Sequence, residues 1–329
     1  MIRLLGLLLA ALLALVGSPT PPSAQAQAAT GELLAVVGRQ VARVNLALSR
    51  PRLVTQVRLP ANVVDVAALP GGATAALAIT RPTDGGVHAG ELFLLDLASG
   101  AVSPLLGRAD GSESLTGPAW WPDGSGVVFQ REDLGGRLVP SAVHEVPHYP
   151  SRVEWVNADG TGRAVLADDG RYPGPSPDGT RVAFVRENVR GAALVVWSSG
   201  GELELVPMGR FLDLAYPRYS PAGDRIAFLA LEGGSAAGPG PVDPLAFLRP
   251  SVAEAHGFPW SLWLIDADGA NAHRLADPQA DDASIAWSPD GTRLFVYGVS
   301  GASVVDAASG TLARLPRFVG SGAVAWITD

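Results

Sequence analysis

Residues 173–184 read PGPSPDGTRVAF, and the fold turns on how this stretch is read. Pro177 fixes φ at the entry to a tight turn, and Gly179 accepts a positive φ at its exit. Apolar residues stand on both sides, so the stretch is a strand, a turn and a second strand. The phrase recurs. PAWWPDGSGVVF begins at Pro118, PRYSPAGDRIAF at Pro217 and IAWSPDGTRLFV at Ile285. A weaker copy, VAALPGGATAALAI, begins at Val66, and a shortened one, VAWITD, begins at Val324. Self-similarity of this kind marks a repeat architecture.

A second hairpin follows most copies. LFLLDLASGAVSPLL starts at Leu92, VEWVNADGTGRAVL at Val153, LVVWSSGGELELV at Leu194, LWLIDADGANAHRL at Leu262 and ASVVDAASGTLARL at Ala302. Each is again strand, polar glycine-containing turn, strand. Every unit therefore has four strands, A to D, which is one blade of a β-propeller. Six copies of strand A predict an all-β, six-bladed propeller of four-stranded antiparallel blades. The sixth copy has no strands after it. Glu32 to Val37, Gln40 to Ala47 and Arg52 to Leu59 read as three strands with no strand A before them. The ring is expected to close by pairing the C-terminal strand A with these N-terminal strands B, C and D, which removes exposed sheet edges.

The repeat resembles that of the TolB-like propeller family, whose blades carry a Ser-Pro-Asp-Gly turn and a later Asp-Ala-Asp-Gly turn. Ser176-Pro177-Asp178-Gly179 and Ser288-Pro289-Asp290-Gly291 match the first, and Asp266-Ala267-Asp268-Gly269 matches the second. Blade 1 departs from the pattern at Pro70-Gly71-Gly72, and blade 4 has Ala222 in place of the Asp. The resemblance covers nearly all of residues 27–329. It implies architecture and an extracytoplasmic setting rather than an activity, because one fold hosts many functions.

The N-terminus agrees with that setting. Arg3 precedes an apolar run from Leu4 to Val16, and Ala24-Gln25-Ala26 offers the small residues a signal peptidase needs. Residues 1–26 read as a cleaved signal peptide, with a retained membrane anchor as the alternative. No later run is long and apolar enough for a helix to span a bilayer. Residues 27–329 then form a single propeller domain with insertions at about 131–152 and 231–260.

The chain has no cysteine, which excludes disulfides, thiolate nucleophiles and cysteine-based zinc sites. It also has no lysine, which excludes P-loop nucleotide binding and Schiff-base chemistry. Without Arg3, 23 arginines face 32 acids, a net charge of −9. Phosphate backbones repel such a chain, so nucleic acid is not an expected partner. No cofactor or metal is expected, and the chain is expected to be a monomer.

Strands alternate in direction, so the A–B and C–D turns share one face of the disc. The B–C loops and D–A connections share the other. The long insertions fall on the second face, and long loops on a rigid scaffold are where binding residues collect. His88, His144, His148 and His256 lie there. Solvent-exposed loop histidines are the plainer reading, a shared metal site the sharper one. His144-Glu145-Val146-Pro147-His148 matches a zinc-protease string, but that chemistry needs a helix, which Pro147 breaks. In the last insertion Phe247, Leu248 and Phe258 are large and apolar, and either pack locally or meet a partner.

The starts of strand A carry Asp65, Arg171, Tyr172, Tyr216, Asp281 and Asp282, which predicts a polar channel mouth. One residue of strand A near the axis is Ala67, Ala119, Gly174, Arg218, Ala286 and Ala325 in the six blades. Arg218 breaks this small-residue rule. It is expected to pair with an acid such as Asp213, the alternative being an anion-binding group in the channel. Trp120, Tyr219, Trp287 and Trp326 recur at one repeat position and read as inter-blade core.

No nucleophile elbow or dinucleotide fingerprint is present. The expected function is a non-catalytic, secreted or periplasmic binding propeller that takes a protein or peptide of the cell envelope or exterior on its loop-bearing face. Candidate contacts are His88, His144, His148, Tyr216, Arg218, Phe247, Leu248, His256 and Phe258. A propeller hydrolase or lyase working at the channel mouth is the alternative.

Overall fold

The computed structural model describes residues 32–37, 40–46, 50–53, 62–82, 88–140, 145–188, 191–232, 260–315 and 322–327. Side chains of 50–53, 137–140 and 145–148 are outside this description. Blade 1 holds β4 (Asn62–Ala68), β5 (Thr74–Pro82), β6 (His88–Asp96) and β7 (Val102–Leu106). Blade 2 holds β8 (Glu113–Trp120), β9 (Gly126–Asp133), β12 (Ser151–Asn157) and β13 (Ala164–Asp168). Blade 3 is β14 (Gly170–Pro175), β15 (Arg181–Asn188), β16 (Gly191–Ser198) and β17 (Gly201–Phe211). Blade 4 is β18 (Asp213–Tyr219), β19 (Arg225–Leu231), β20 (Trp260–Asp266) and β21 (His273–Ala280). Blade 5 is β22 (Ser284–Trp287), β23 (Arg293–Gly298), β24 (Gly301–Asp306) and β25 (Leu312–Leu315). Blade 6 joins the two ends of the chain, in the order β26 (Val324–Ile327), β1 (Glu32–Val37), β2 (Gln40–Asn45), β3 (Arg50–Leu53).

The ring is closed. Leu33 pairs with Trp326, Leu34 with Ala325 and Ala35 with Val324. The six A strands neighbour one another in the cycle β4, β8, β14, β18, β22, β26 and back to β4, so they line the axis. Six apolar clusters fill the six gaps between neighbouring blades. This explains the composition of the B strands. Ala75 to Ile79, Val182 to Val185 and Ile226 to Ala230 are buried on consecutive residues, because both faces of a blade pack on a neighbour. Trp120, Tyr219 and Trp287 are buried, and Trp326 packs at the edge of the cluster between blades 5 and 6.

The repeated turn has a concrete chemistry. In blade 3, Asp178 accepts from the Thr180 N–H and both the Ser176 and Thr180 hydroxyls, while the Arg181 N–H donates to Ser176 Oγ. Blade 5 repeats this with Ser288, Asp290, Thr292 and Arg293. Gly179 and Gly291 take φ values of 67° and 68°, as the turn demands. Blade 4 lacks the Asp at 222, and Asp224 supplies the carboxylate instead, accepting from Ser220 Oγ at 2.6 Å.

Two boundaries differ from expectation. The third N-terminal strand is β3, Arg50–Leu53, and residues 54–61 lie outside the described residues. The blade 2 insertion is partly regular: β10 (Arg137–Pro140) and β11 (Glu145–His148) form a separate two-stranded hairpin. Pro140 and Pro147 suit a two-stranded ribbon, where a missing N–H can face outward.

Candidate binding site at the channel mouth

In blades 1 to 4 the inner end on the loop-bearing face is shaped by a bulge. The A–B register shifts between Val63 and Asp65 in β4, Thr116 and Ala119 in β8, Arg171 and Gly174 in β14, and Ala215 and Arg218 in β18. An extra residue bends a strand and re-aims its side chains. In three of these bulges a proline follows a residue with positive φ: Gly117 at 58°, Tyr172 at 55° and Tyr216 at 49°. Asp65, Gly117, Tyr172 and Tyr216 stand at equivalent places, two residues before the axial positions 67, 119, 174 and 218. A tyrosine in this backbone region costs on the order of 1–2 kcal/mol. Ring packing offsets part of it, with Tyr172 and Tyr216 centroids 4.5 Å apart.

These bulges open a cavity of about 810 Å³ lined by residues from all six blades. Asp65 and His88 come from blade 1, Gln130 and Glu132 from blade 2, Arg171, Tyr172 and Glu187 from blade 3. Tyr216 comes from blade 4, Asp282 from blade 5, and Val36 and Gly322 from blade 6. Tyr149, after the β10–β11 hairpin, stands exposed at the rim.

Electrostatics divides the mouth into a braced side and an open side. Arg171 Nη1 meets Glu187 at 2.8 Å, and its Nη2 donates to Asp213. Across the mouth Asp65 is buried and accepts the Gly117 N–H at 3.0 Å. Burial raises the Asp65 pKa against the opposing pull of that hydrogen bond and of Arg218. Burial likewise raises Glu132, with Arg171 opposing and Glu187 reinforcing. Burial pushes the Tyr172 phenol up to about 12 and Tyr216 well above its ordinary value, so both rings are neutral.

Arg218 lies one layer below. Its Nη1 donates to the Pro173 carbonyl at 3.1 Å and to the Pro217 carbonyl at 2.9 Å, and its guanidinium lies over the Tyr216 ring. The expected pairing with Asp213 is corrected: Asp213 belongs to Arg171, and the acid that senses Arg218 is Asp65. The small residue at 174 is explained as well. A Cβ there would meet Pro217 O at 2.3 Å and Arg218 Nη1 at 3.3 Å, so Gly174 gives the arginine its space.

Of the residues singled out in sequence, His88 and Tyr216 line the cavity and Arg218 lies beneath it. Asp65, Arg171, Tyr172 and Asp282 line it too, while Asp281 does not. His148 ends β11, which is a strand, with its side chain outside the description. His144, Phe247, Leu248, His256 and Phe258 lie outside the described residues. Sequence reasoning missed Glu132 and Glu187. Both sit at the ends of B strands, where two residues of strand length decide whether a side chain reaches the mouth. Among the described residues no three His, Asp or Glu side chains converge on a point that would hold a metal ion.

No family model and no curated protein matches the sequence. Solved structures do match. TolB from Acinetobacter baumannii superposes with a TM-score of 0.64 at 15% identity, over 91% of this chain and 67% of that one. The fold is TolB-like. A protein assigned as TolB from Agrobacterium tumefaciens gives 0.57 at 16% identity, over 86% of each chain. A chain of a nidogen–laminin complex gives 0.61 at 11% identity, over 90% of this chain and 97% of that one. At such identities the TolB-like likeness is one of architecture, and the mouth residues stand on their own geometry.

Proposed function

We propose that this chain is a non-catalytic, extracytoplasmic binding propeller that holds a segment of a protein or peptide in the mouth between its six blades. The observation that carries the reading is the cavity itself: about 810 Å³, polar, and built from residues of every blade on the loop-bearing face. Two strained tyrosines line it, and strain of this kind collects at functional sites. The TolB-like architecture and the leader-like first 26 residues support an extracytoplasmic place for one domain over 27–329, which we take to be a monomer. One structural neighbour was solved within a complex of two proteins, nidogen and laminin, which supports a protein as the occupant.

The enzyme reading rests on the raised pKa values of Asp65 and Glu132, which are what a general acid needs. It predicts turnover that Asp65→Asn abolishes.

Photo-crosslinking tests the binding reading. A crosslinking side chain is placed at His88 or Tyr149 on the mouth, and in a second variant at Asp268 on the opposite face, in the producing cell. A discrete protein adduct at the mouth positions alone is expected. Adducts at Asp268 only, or at neither face, would overturn the reading.

A further inference from the structure

Resting on the mouth as a binding site, we infer that the group it takes is cationic: an arginine or lysine side chain carried on an extended segment of the partner. Among the described residues the cavity lining holds four carboxylates, Asp65, Glu132, Glu187 and Asp282, against one arginine, Arg171. Arg171 is already engaged by Glu187 and Asp213. Adding Asp213, beside Arg171, and Arg218, beneath the cavity, leaves the same excess of negative charge among the described residues. His88, Tyr149, Tyr172 and Tyr216 are the other titratable groups that line the space among the described residues.

Asp65 and Glu132 carry the part of this excess that no direct ion pair answers among the described residues. Asp65 is 8% exposed, and one backbone N–H is its hydrogen-bond partner among the described residues. Glu132, partly buried, has no ion pair within 4.0 Å among them. A carboxylate so placed bears a desolvation cost that an incoming cation relieves. The carboxylates also stand apart around the rim, since no three of them converge as metal ligands would. Spread charge in a cavity of about 810 Å³ suits an organic cation on a chain rather than a bare ion. The exposed Tyr149 ring at the rim gives the apolar stem of such a side chain a surface to lie on.

The probe is a short glycine–serine peptide carrying two arginines, compared by calorimetry with twins that carry citrulline or glutamate. Binding of the arginine peptide alone is expected, weakening as salt is added. Asp65→Asn and Glu132→Gln should each weaken it about tenfold, or about 1.4 kcal/mol. Their melting temperatures should hold or rise, because each removes a buried charge, and Asp290→Asn on the opposite face should leave peptide binding unchanged. Equal binding of the citrulline twin, undiminished binding by the two mouth variants, or no arginine-peptide binding up to ~1 mM would overturn the inference. A partner crosslinked at His88 whose capture survives both mouth variants would sink the cationic group while leaving the binding site standing. Absence of any mouth adduct would sink the binding site itself.

Discussion

Glu113 is the most heavily engaged carboxylate of the described molecule. It is 3% exposed on β8, and it accepts from Arg163 at 3.1 and 2.9 Å, from Arg131 Nε at 3.1 Å and from the Ala109 N–H at 2.6 Å. Arg163 then reaches Glu154 at 2.6 Å, so two carboxylates share one guanidinium. Burial alone would raise the Glu113 pKa. The hydrogen bonds from Arg163, Ala109 and Arg131 outweigh it and hold the group at about 2, against an ordinary 4.5. A depressed folded-state pKa gives stability that is present above pH 4.5 and is lost as the pH falls toward 2. Glu113→Gln should therefore cost on the order of 1–2 kcal/mol at pH 7, because it gives up charge-assisted hydrogen bonds from the partly exposed Arg131 and Arg163. Near pH 2 wild type and variant should approach each other. Denaturant titrations at the two pH values check this, and an unchanged gap would refute the role given to Glu113. None of this cluster was legible in the sequence. Residues 113, 131, 154 and 163 meet only after blade 2 has folded, and the same limit misassigned Asp213 to Arg218. A long arginine reaches across blades, so its partner depends on three-dimensional packing rather than on spacing.

At the scale of elements, the repeat was readable wherever local chemistry fixes the backbone. The A–B turns were found because proline, aspartate and glycine each dictate a dihedral or a hydrogen bond. Blade 4 shows why the motif survives losing its aspartate. Asp224, two residues later, takes over the Ser220 hydroxyl. Asp224→Ala should thus destabilise the propeller by about as much as Asp290→Ala, on the order of 1 kcal/mol each. Ala222→Asp should restore much of the loss in the Asp224→Ala background. Thermal melts of the three variants decide the matter, and an innocuous Asp224→Ala would mean that the turn stands without its carboxylate. The bulges that make the mouth were not legible, although the clue is present in Gly117-Pro118, Tyr172-Pro173 and Tyr216-Pro217. A bulge is a mismatch between two strands, and it can be counted only when both are in register. Removing the side chain at one left-handed position tests its cost: Tyr172→Gly should relieve backbone strain yet lose the ring contact with Tyr216. Its stability should therefore change by less than ~2 kcal/mol, while any ligand held at the mouth should be lost.

The closed ring was the feature of the whole molecule most plainly written in the sequence, because the count of strand A copies exceeds the count of complete blades by one. What closes it is small. β26 contributes four residues, paired to β1 from Glu32↔Ile327 to Ala35↔Val324. Its side chains nevertheless serve two blade interfaces. Val324 and Trp326 join the cluster between blades 5 and 6, and Ala325 and Ile327 join the cluster between blades 6 and 1. Removing Gly322 to Asp329 would bare the β1 edge, leave Leu33 and Leu34 uncovered and unpin both neighbours of blade 6 at once. Loss of ~5 kcal/mol or more is expected, with the truncated protein prone to self-association through its open edge. A synthetic peptide of residues 322–329 should bind the truncated protein and raise its melting temperature in proportion to the logarithm of its concentration, as a ligand of the native state does. The same peptide should leave the full chain unaffected, because its place is filled. A truncated protein that melts like the parent, or that ignores the peptide while remaining folded, would show that blade 6 holds without its inner strand and that the six inter-blade cores suffice to keep the ring shut.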